Sequence, residues 1–110
     1  MTTKLQPVDS SSVFDTSLRF SSYAGSLRSS LFKKAITIVD KWDMGRPSWE
    51  LSRAAKKLAN EMFNEYSENL QAAFNQPDYS FWLSNSISAQ KRVFIPNLLE
   101  QIQAKITNNE

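Results

Sequence analysis

The side chains with the clearest chemical potential in this sequence are a cluster of cations followed by a cluster of carboxylates. The cations are Arg53, Lys56 and Lys57, and the carboxylates are Glu61, Glu65 and Glu68. On a helix this order opposes the macrodipole, because cations near the N-terminus and acids near the C-terminus both destabilise the helix. An anion bound at the N-terminus offsets that cost, since free backbone N–H groups and cations converge on it. The cluster therefore favours binding of phosphate-like groups.

Further cations are interleaved with hydroxyl groups. Lys34 and Lys41 share a predicted helix stripe with Ser30 and Thr37, a mixture of donors that proteins use on phosphates. A further basic pair stands late in the chain. The predicted nucleic-acid-binding residues are Lys34, Lys41, Arg53, Lys56, Lys57, Lys91 and Arg92. The alternative is that these residues belong to ordinary solvated helix faces.

Charge is divided unevenly along the chain. Residues 23–57 hold eight basic and three acidic side chains, whereas residues 58–90 hold four acidic and none basic. Such a partition is informative about partners and not about fold. An acidic surface can meet the basic surface of a neighbouring copy. The predicted protein-interface residues are Glu61, Glu65, Glu68 and Trp82.

Catalysis is not expected. The sequence contains neither cysteine nor histidine, which excludes disulfides, thiolate or imidazole metal sites and histidine-based acid–base chemistry. Glu61, Glu65 and Glu68 lack a facing carboxylate-rich helix with which to share a metal ion. No glycine-rich phosphate loop is present. We expect no catalytic residue, no metal, no cofactor and no small-molecule substrate.

Length and composition fit one small helical domain. The chain has 110 residues, of which 41% are hydrophobic, and only two glycines and four prolines. Few glycines and prolines argue against a sandwich or barrel with frequent turns. No apolar run reaches the roughly 20 residues of a membrane span. We therefore expect a cytoplasmic protein that does not contact a membrane.

Apolar spacing predicts the elements that position these charges. One helix is predicted at about Ser26–Trp42, and a second runs from Pro47 or Ser48 to Phe74 with Leu58 and Met62 buried. Trp42 lies on the apolar stripe and is expected to pack in the core.

The remaining segments are less regular. Residues 75–85 are predicted to form a loop in which Tyr79, Phe81 and Trp82 fold back as a hydrophobic lid. A third helical region begins near Ser86 or Ser88, and Pro96 predicts either a kink or two short helices. Its predicted core face is Ile87, Phe94, Leu98, Ile102 and Ile106.

The predicted fold class is all-α, a small bundle of three to four helices with an extended, serine-rich N-terminal arm. Residues 1–22 form that arm, either extended or disordered, because no helical spacing organises their apolar side chains. Residues 23–110 form the helical bundle domain.

A small, cysteine-free, all-helical chain with one basic and one acidic surface resembles the small subunit of CRISPR surveillance complexes. The resemblance covers roughly residues 23–106 and lies in size, helix order and charge pattern. It implies several copies in a multi-subunit ribonucleoprotein for antiviral defence, where their basic faces hold a nucleic-acid strand by its phosphates.

Two alternatives stay open. One is a helical adaptor or inhibitor, phage-encoded or antitoxin-like, that acts through protein–protein contacts on its acidic face. The other is a nucleic-acid-associated protein that acts alone.

Overall fold

Three long helices form an up-down-up bundle. The computed structural model describes residues 10–108, and their side chains from residue 18 onward. Helix α1 spans Ser10–Asp40, α2 spans Ser48–Ala73 and α3 spans Ser80–Asn108, with a single 3₁₀ turn at Pro77–Tyr79 before α3. This part of the chain contains no strand, which confirms the predicted all-α class.

Contacts between the helices fix their directions. Near the start of the bundle, the Phe20 ring of α1 meets Phe74 after α2 and Trp82 of α3, with centroids 5.2 and 5.0 Å apart. At the opposite end, Lys105 Nζ of α3 lies 2.8 Å from Asp40 Oδ1 of α1. Helices α1 and α3 are therefore parallel, and α2 runs antiparallel to both.

The prediction of an extended arm over residues 1–22 is wrong for residues 10–22, which belong to α1. Residues 1–9 lie outside the described part. The physical reason is tertiary: Phe20 and Ala24 are buried and extend the core stripe of Leu31 and Ala35 by whole helical turns. Packing of such a face supplies most of a helix's stability and overrides the weak helix propensity of serine. The proposed boundary at residue 22 falls inside this helix.

Helix α2 confirms its predicted bounds to within one residue. Pro47 occupies the N-cap position without a side-chain cap, and its carbonyl accepts the N–H groups of Glu50 and Leu51 at 3.0 and 3.1 Å. Leu58 and Met62 are buried, as predicted. Because its apolar stripe is regular, the bounds of α2 were predictable from the sequence alone.

Helix α3 begins earlier than predicted. Residues 80–85, expected in a loop, form its first turns, so Phe81 and Trp82 are helical and do not close as a lid. The helix continues through Pro96, which excludes two separate short helices. Pro96 is exposed, so the carbonyl that loses its N–H partner there can bond to water. The predicted core face of α3 is buried throughout.

Aromatic side chains occupy the centre of the core. The Phe94 ring lies 5.2 Å from Phe32, 5.3 Å from Phe63 and 4.8 Å from Tyr66, so it joins all three helices. Such pairs contribute about 0.5–1.5 kcal/mol each beyond area burial. Apart from the tyrosine hydroxyl, the buried side chains of the described residues are apolar.

Candidate nucleic-acid interface

The first three turns of α2 carry an exposed row of one aromatic and two cationic side chains. Trp49, Arg53 and Lys57 follow one another at i, i+4 spacing, which places them on one helix face. Trp49 is 62% exposed. The Arg53 guanidinium lies over the Trp49 ring, 5.5 Å from its centroid. A stacking surface and a positive charge therefore stand side by side at the start of α2.

Within the described part of the chain, the cations of this row and the neighbouring Lys56 are not neutralised. No carboxylate there forms an ion pair with Arg53, Lys56 or Lys57. All three side chains are exposed. They lie within about one helical turn, or roughly 6 Å along the axis. We refer to Trp49, Arg53, Lys56 and Lys57 as the α2 basic surface.

Lys34 has a different environment. Its Nζ donates to both carboxylate oxygens of Glu65, at 2.9 and 3.1 Å. A residue predicted to bind nucleic acid is thus paired with a residue predicted to bind protein. The acidic segment 58–90 thus receives a basic partner from α1, 31 positions away in the sequence. Both side chains are substantially exposed, so the pair contributes at most about 1 kcal/mol.

In the stripe of hydroxyl groups around Lys34, one hydroxyl is already hydrogen-bonded within α1. Thr37 Oγ1 donates to the carbonyl of Lys33 at 3.0 Å, one turn earlier in the same helix. Lys41 is exposed beyond the end of α1. The α1 stripe therefore offers fewer available groups than its sequence indicates.

Lys91 and Arg92 lie on α3 and are both exposed. The Lys91 ammonium sits 5.8 Å from the centroid of the Phe63 ring, at the edge between α2 and α3. Phe63 is seven residues beyond Lys56, which corresponds to about 10 Å along α2. Lys91 extends the positive region toward α3 but does not join the α2 basic surface directly.

The predicted protein-interface residues separate into two places. Glu61 and Glu68 are exposed on the flank of α2, together with the paired Glu65. Trp82 lies at the end of the bundle formed by the close of α2 and the start of α3, where it is 39% exposed and packs on Phe20. The structure does not bring Trp82 and the glutamates into one surface.

Three exposed aromatic residues are missing from the predicted sites, namely Tyr23, Trp49 and Phe81. Trp49 could have been found, because its i, i+4 spacing to Arg53 is visible in the sequence. Phe81, which is 81% exposed, was placed in a lid because residues 80–85 were assigned to a loop. Trp42 is partly buried against the core, as predicted, and Arg46 covers its ring at 5.7 Å.

Comparison of the chain with known proteins gives no assignment. No protein family, curated protein or solved structure matches it. The function must therefore be argued from the chain's own residues.

Residues 10–108 show neither a metal-binding cluster nor a membrane-spanning helix. Among them, no group of three or more acidic, histidine or cysteine side chains is arranged to hold a metal ion. None of the three helices combines the length and the apolar character that crossing a membrane requires.

Proposed function

We propose that this protein is a non-catalytic nucleic-acid-binding protein that holds the phosphate backbone without reading its sequence. The observation that carries the proposal is the α2 basic surface, in which Arg53 covers an exposed Trp49 and no carboxylate of the described residues forms an ion pair with the adjacent lysines. Cations beside a solvent-facing aromatic ring form the combination that binds single strands.

Each component of the surface has a distinct role in this proposal. Arg53, Lys56 and Lys57 pair with phosphate oxygens and release condensed counterions, a contribution that depends on salt and not on base identity. The Trp49 ring stacks on a base, which requires an unpaired base and therefore favours single strands over duplexes. Arg53 contributes to both, since a guanidinium over an aromatic ring can still donate to a phosphate.

We further propose that the protein acts as one subunit of a multi-subunit ribonucleoprotein in the cytoplasm. Three cations on one small domain supply only weak, non-specific affinity, with Kd values of roughly 10⁻⁴–10⁻⁶ M near physiological salt. Copies arranged along one strand bind it together and raise the overall affinity without new kinds of contact. The resemblance to CRISPR small subunits in size and helix order points to the same arrangement.

A second candidate function is that of a helical adaptor or inhibitor acting through protein contacts. It is favoured by the end of the bundle that carries Phe81, Trp82 and Leu18, which are 81%, 39% and 53% exposed. Exposed aromatic residues that lie close together are typical of protein interfaces. This end of the bundle provides no cation comparable to Arg53 beside its tryptophan among the described residues.

The experiment that tests the first proposal measures binding of a fluorescent oligothymidylate across a range of salt concentrations. With three phosphate contacts on a single strand, log K should fall against log salt with a slope of about −2. The double variant R53E/K57E should weaken binding at least about tenfold and flatten the slope by about 0.7 unit per lost contact.

The matched control reverses two exposed cations of α1 that lie outside the α2 basic surface. R19E/K33E changes the net charge by the same amount and should lower affinity far less than R53E/K57E. Equal losses in the two variants would show that binding follows net charge alone. Unchanged affinity and slope in R53E/K57E would exclude the α2 basic surface and favour the adaptor function.

A further inference from the structure

A groove of about 460 Å³ lies between α1 and α3. Small side chains line it on both helices, including Ser21, Ala24 and Gly25 on α1 and Ser86 and Ala89 on α3. This volume falls within the range of about 300–1,000 Å³ that is usual for small-ligand sites. No local sequence pattern indicates the groove, because the groove depends on how two distant segments pack.

Aromatic contacts close the groove at both ends. The Phe20–Trp82 pair bridges α1 and α3 at one end, with ring centroids 5.0 Å apart. The Phe32–Phe94 pair bridges them at the other end, at 5.2 Å. These large rings hold the helices apart where the intervening residues are too small to fill the space. The residues that line the groove run from Phe20 to Arg28 on α1 and from Ser86 to Phe94 on α3, which is about 12 Å along each helix.

The groove contains one cation and an ordered set of neutral polar groups. Arg28 lines it, and no carboxylate of the described residues forms an ion pair with Arg28. Gln90 accepts a hydrogen bond from the buried Tyr66 hydroxyl through Oε1, and its Nε2 donates to Ser86 Oγ at 3.2 Å. The orientation of Gln90 is thereby fixed, and the Ser86 hydroxyl retains its own proton to donate.

The Tyr66 hydroxyl remains a neutral donor in this network. Burial raises the pKa of Tyr66 above its usual 10.0, and the positive charge of Arg28 only partly opposes that rise. The groove thus combines an apolar surface with the Arg28 cation and the Ser86 hydroxyl, which can donate a hydrogen bond.

We infer that this groove binds a small amphipathic organic anion, whose carboxylate pairs with Arg28 and Ser86 and whose apolar part lies against Ala24 and Phe20. A single cation matches a single anionic group. A lined length of about 12 Å suits a compact molecule and not a helix of several turns. A mostly apolar cleft with few convergent polar groups is the usual form of such sites. The inference is independent of the proposed nucleic-acid binding.

Calorimetric titration with sodium octanoate tests the inference, with octanol and octylammonium as ligands that keep the tail and change the head group. Wild-type protein should bind octanoate at least tenfold more tightly than either. R28Q should weaken octanoate binding by a similar factor, because a charge-assisted hydrogen bond is lost. Amide chemical shifts on octanoate addition should change at residues 21–28 and 86–93.

A groove-filling variant keeps the test decisive. A Cβ atom added to Gly25 meets no other group within 4 Å, so G25L projects its side chain into open space. Leucine also favours the helix more than glycine does, so the melting temperature should stay the same or rise. G25L should abolish octanoate binding, whereas S22L, on the exposed side of the same helix, should leave it intact.

Three results would overturn the inference. They are no octanoate binding to wild-type protein, equal binding of octanol and octanoate, and undiminished binding by folded G25L. Should G25L instead change the oligomeric state while the wild type binds none of the three ligands, the groove is a contact between copies and not a ligand site.

Discussion

The two ends of the bundle both expose tryptophan, but they place it in opposite electrostatic settings. At the start of α2, Trp49 is covered by Arg53 and lies within a segment of net positive charge. At the start of α3, Trp82 packs on Phe20 beside the highly exposed Phe81, in a segment whose charged residues are all acidic. The two tryptophans therefore differ in electrostatic setting, which is why we propose a polyanion partner for the first end and a protein partner for the second.

Neighbouring groups, rather than residue type, determine what each charged residue can do. Lys34 and Lys57 are both exposed lysines predicted to bind phosphate. Lys34 is held by Glu65 at 2.9 Å, whereas Lys57 forms no ion pair with any described residue. A phosphate that binds Lys34 must displace a carboxylate, whereas one that binds Lys57 displaces only water and salt ions. The α2 basic surface is therefore the stronger candidate.

The largest expected effect is a loss of stability when the core that both ends share is disrupted. Phe94 of α3 contacts rings from both other helices, so F94A should lower the free energy of unfolding by about 3–5 kcal/mol through cavity formation. Urea denaturation followed by far-UV circular dichroism measures it. V93A, at the exposed neighbouring position, should change stability by no more than about 0.5 kcal/mol. A loss below about 1 kcal/mol in F94A would contradict the packing described here.

Replacing one exposed aromatic residue at either end by serine should change stability little and binding strongly. F81S should weaken self-association or partner binding at least about tenfold, while leaving stability within about 0.5 kcal/mol because the side chain is already exposed. W49S should leave association unchanged and weaken oligonucleotide binding instead, by roughly 1–3 kcal/mol for one lost stacked base.

Sedimentation velocity over a range of concentrations measures the first property, and anisotropy of a labelled oligonucleotide measures the second. If both variants weaken both properties, the two ends belong to one continuous interface and the distinction drawn between them is wrong.

The fold was predictable where one apolar stripe is regular. In α2 an unbroken stripe through Leu58 and Met62 gave correct bounds. In α1 the buried stripe continues from Leu31 back through Leu27 and Ala24 to Phe20, but the apolar side chains of residues 1–22 show no helical spacing in the sequence, which predicts an arm. The first turns of α3 were missed because Phe81 and Trp82 are aromatic but not core residues. Both errors involve residues whose helical state depends on contacts with Phe20 and Phe74, which lie far apart in the sequence.

The candidate site was predictable in its cations but not in their pairing. Arg53, Lys56 and Lys57 were identified from their clustering alone, and helical geometry keeps them together. The bond between Lys34 and Glu65 joins residues 31 positions apart and depends on the register of α1 against α2. No local pattern encodes that register, so the sequence could not show which of the two lysine groups is neutralised.

The most direct test of the central claim is the fluorescence of Trp49 during oligonucleotide binding. In a W42F/W82F variant Trp49 is the only tryptophan, since the chain contains three. Stacking of a base on its ring should quench the emission in proportion to occupancy, with the same midpoint as anisotropy, and R53E/K57E introduced into this variant should remove the quenching. In W49F, the emission of Trp42 and Trp82 should stay unchanged at saturation. Saturable binding with no change in Trp49 emission would contradict the account.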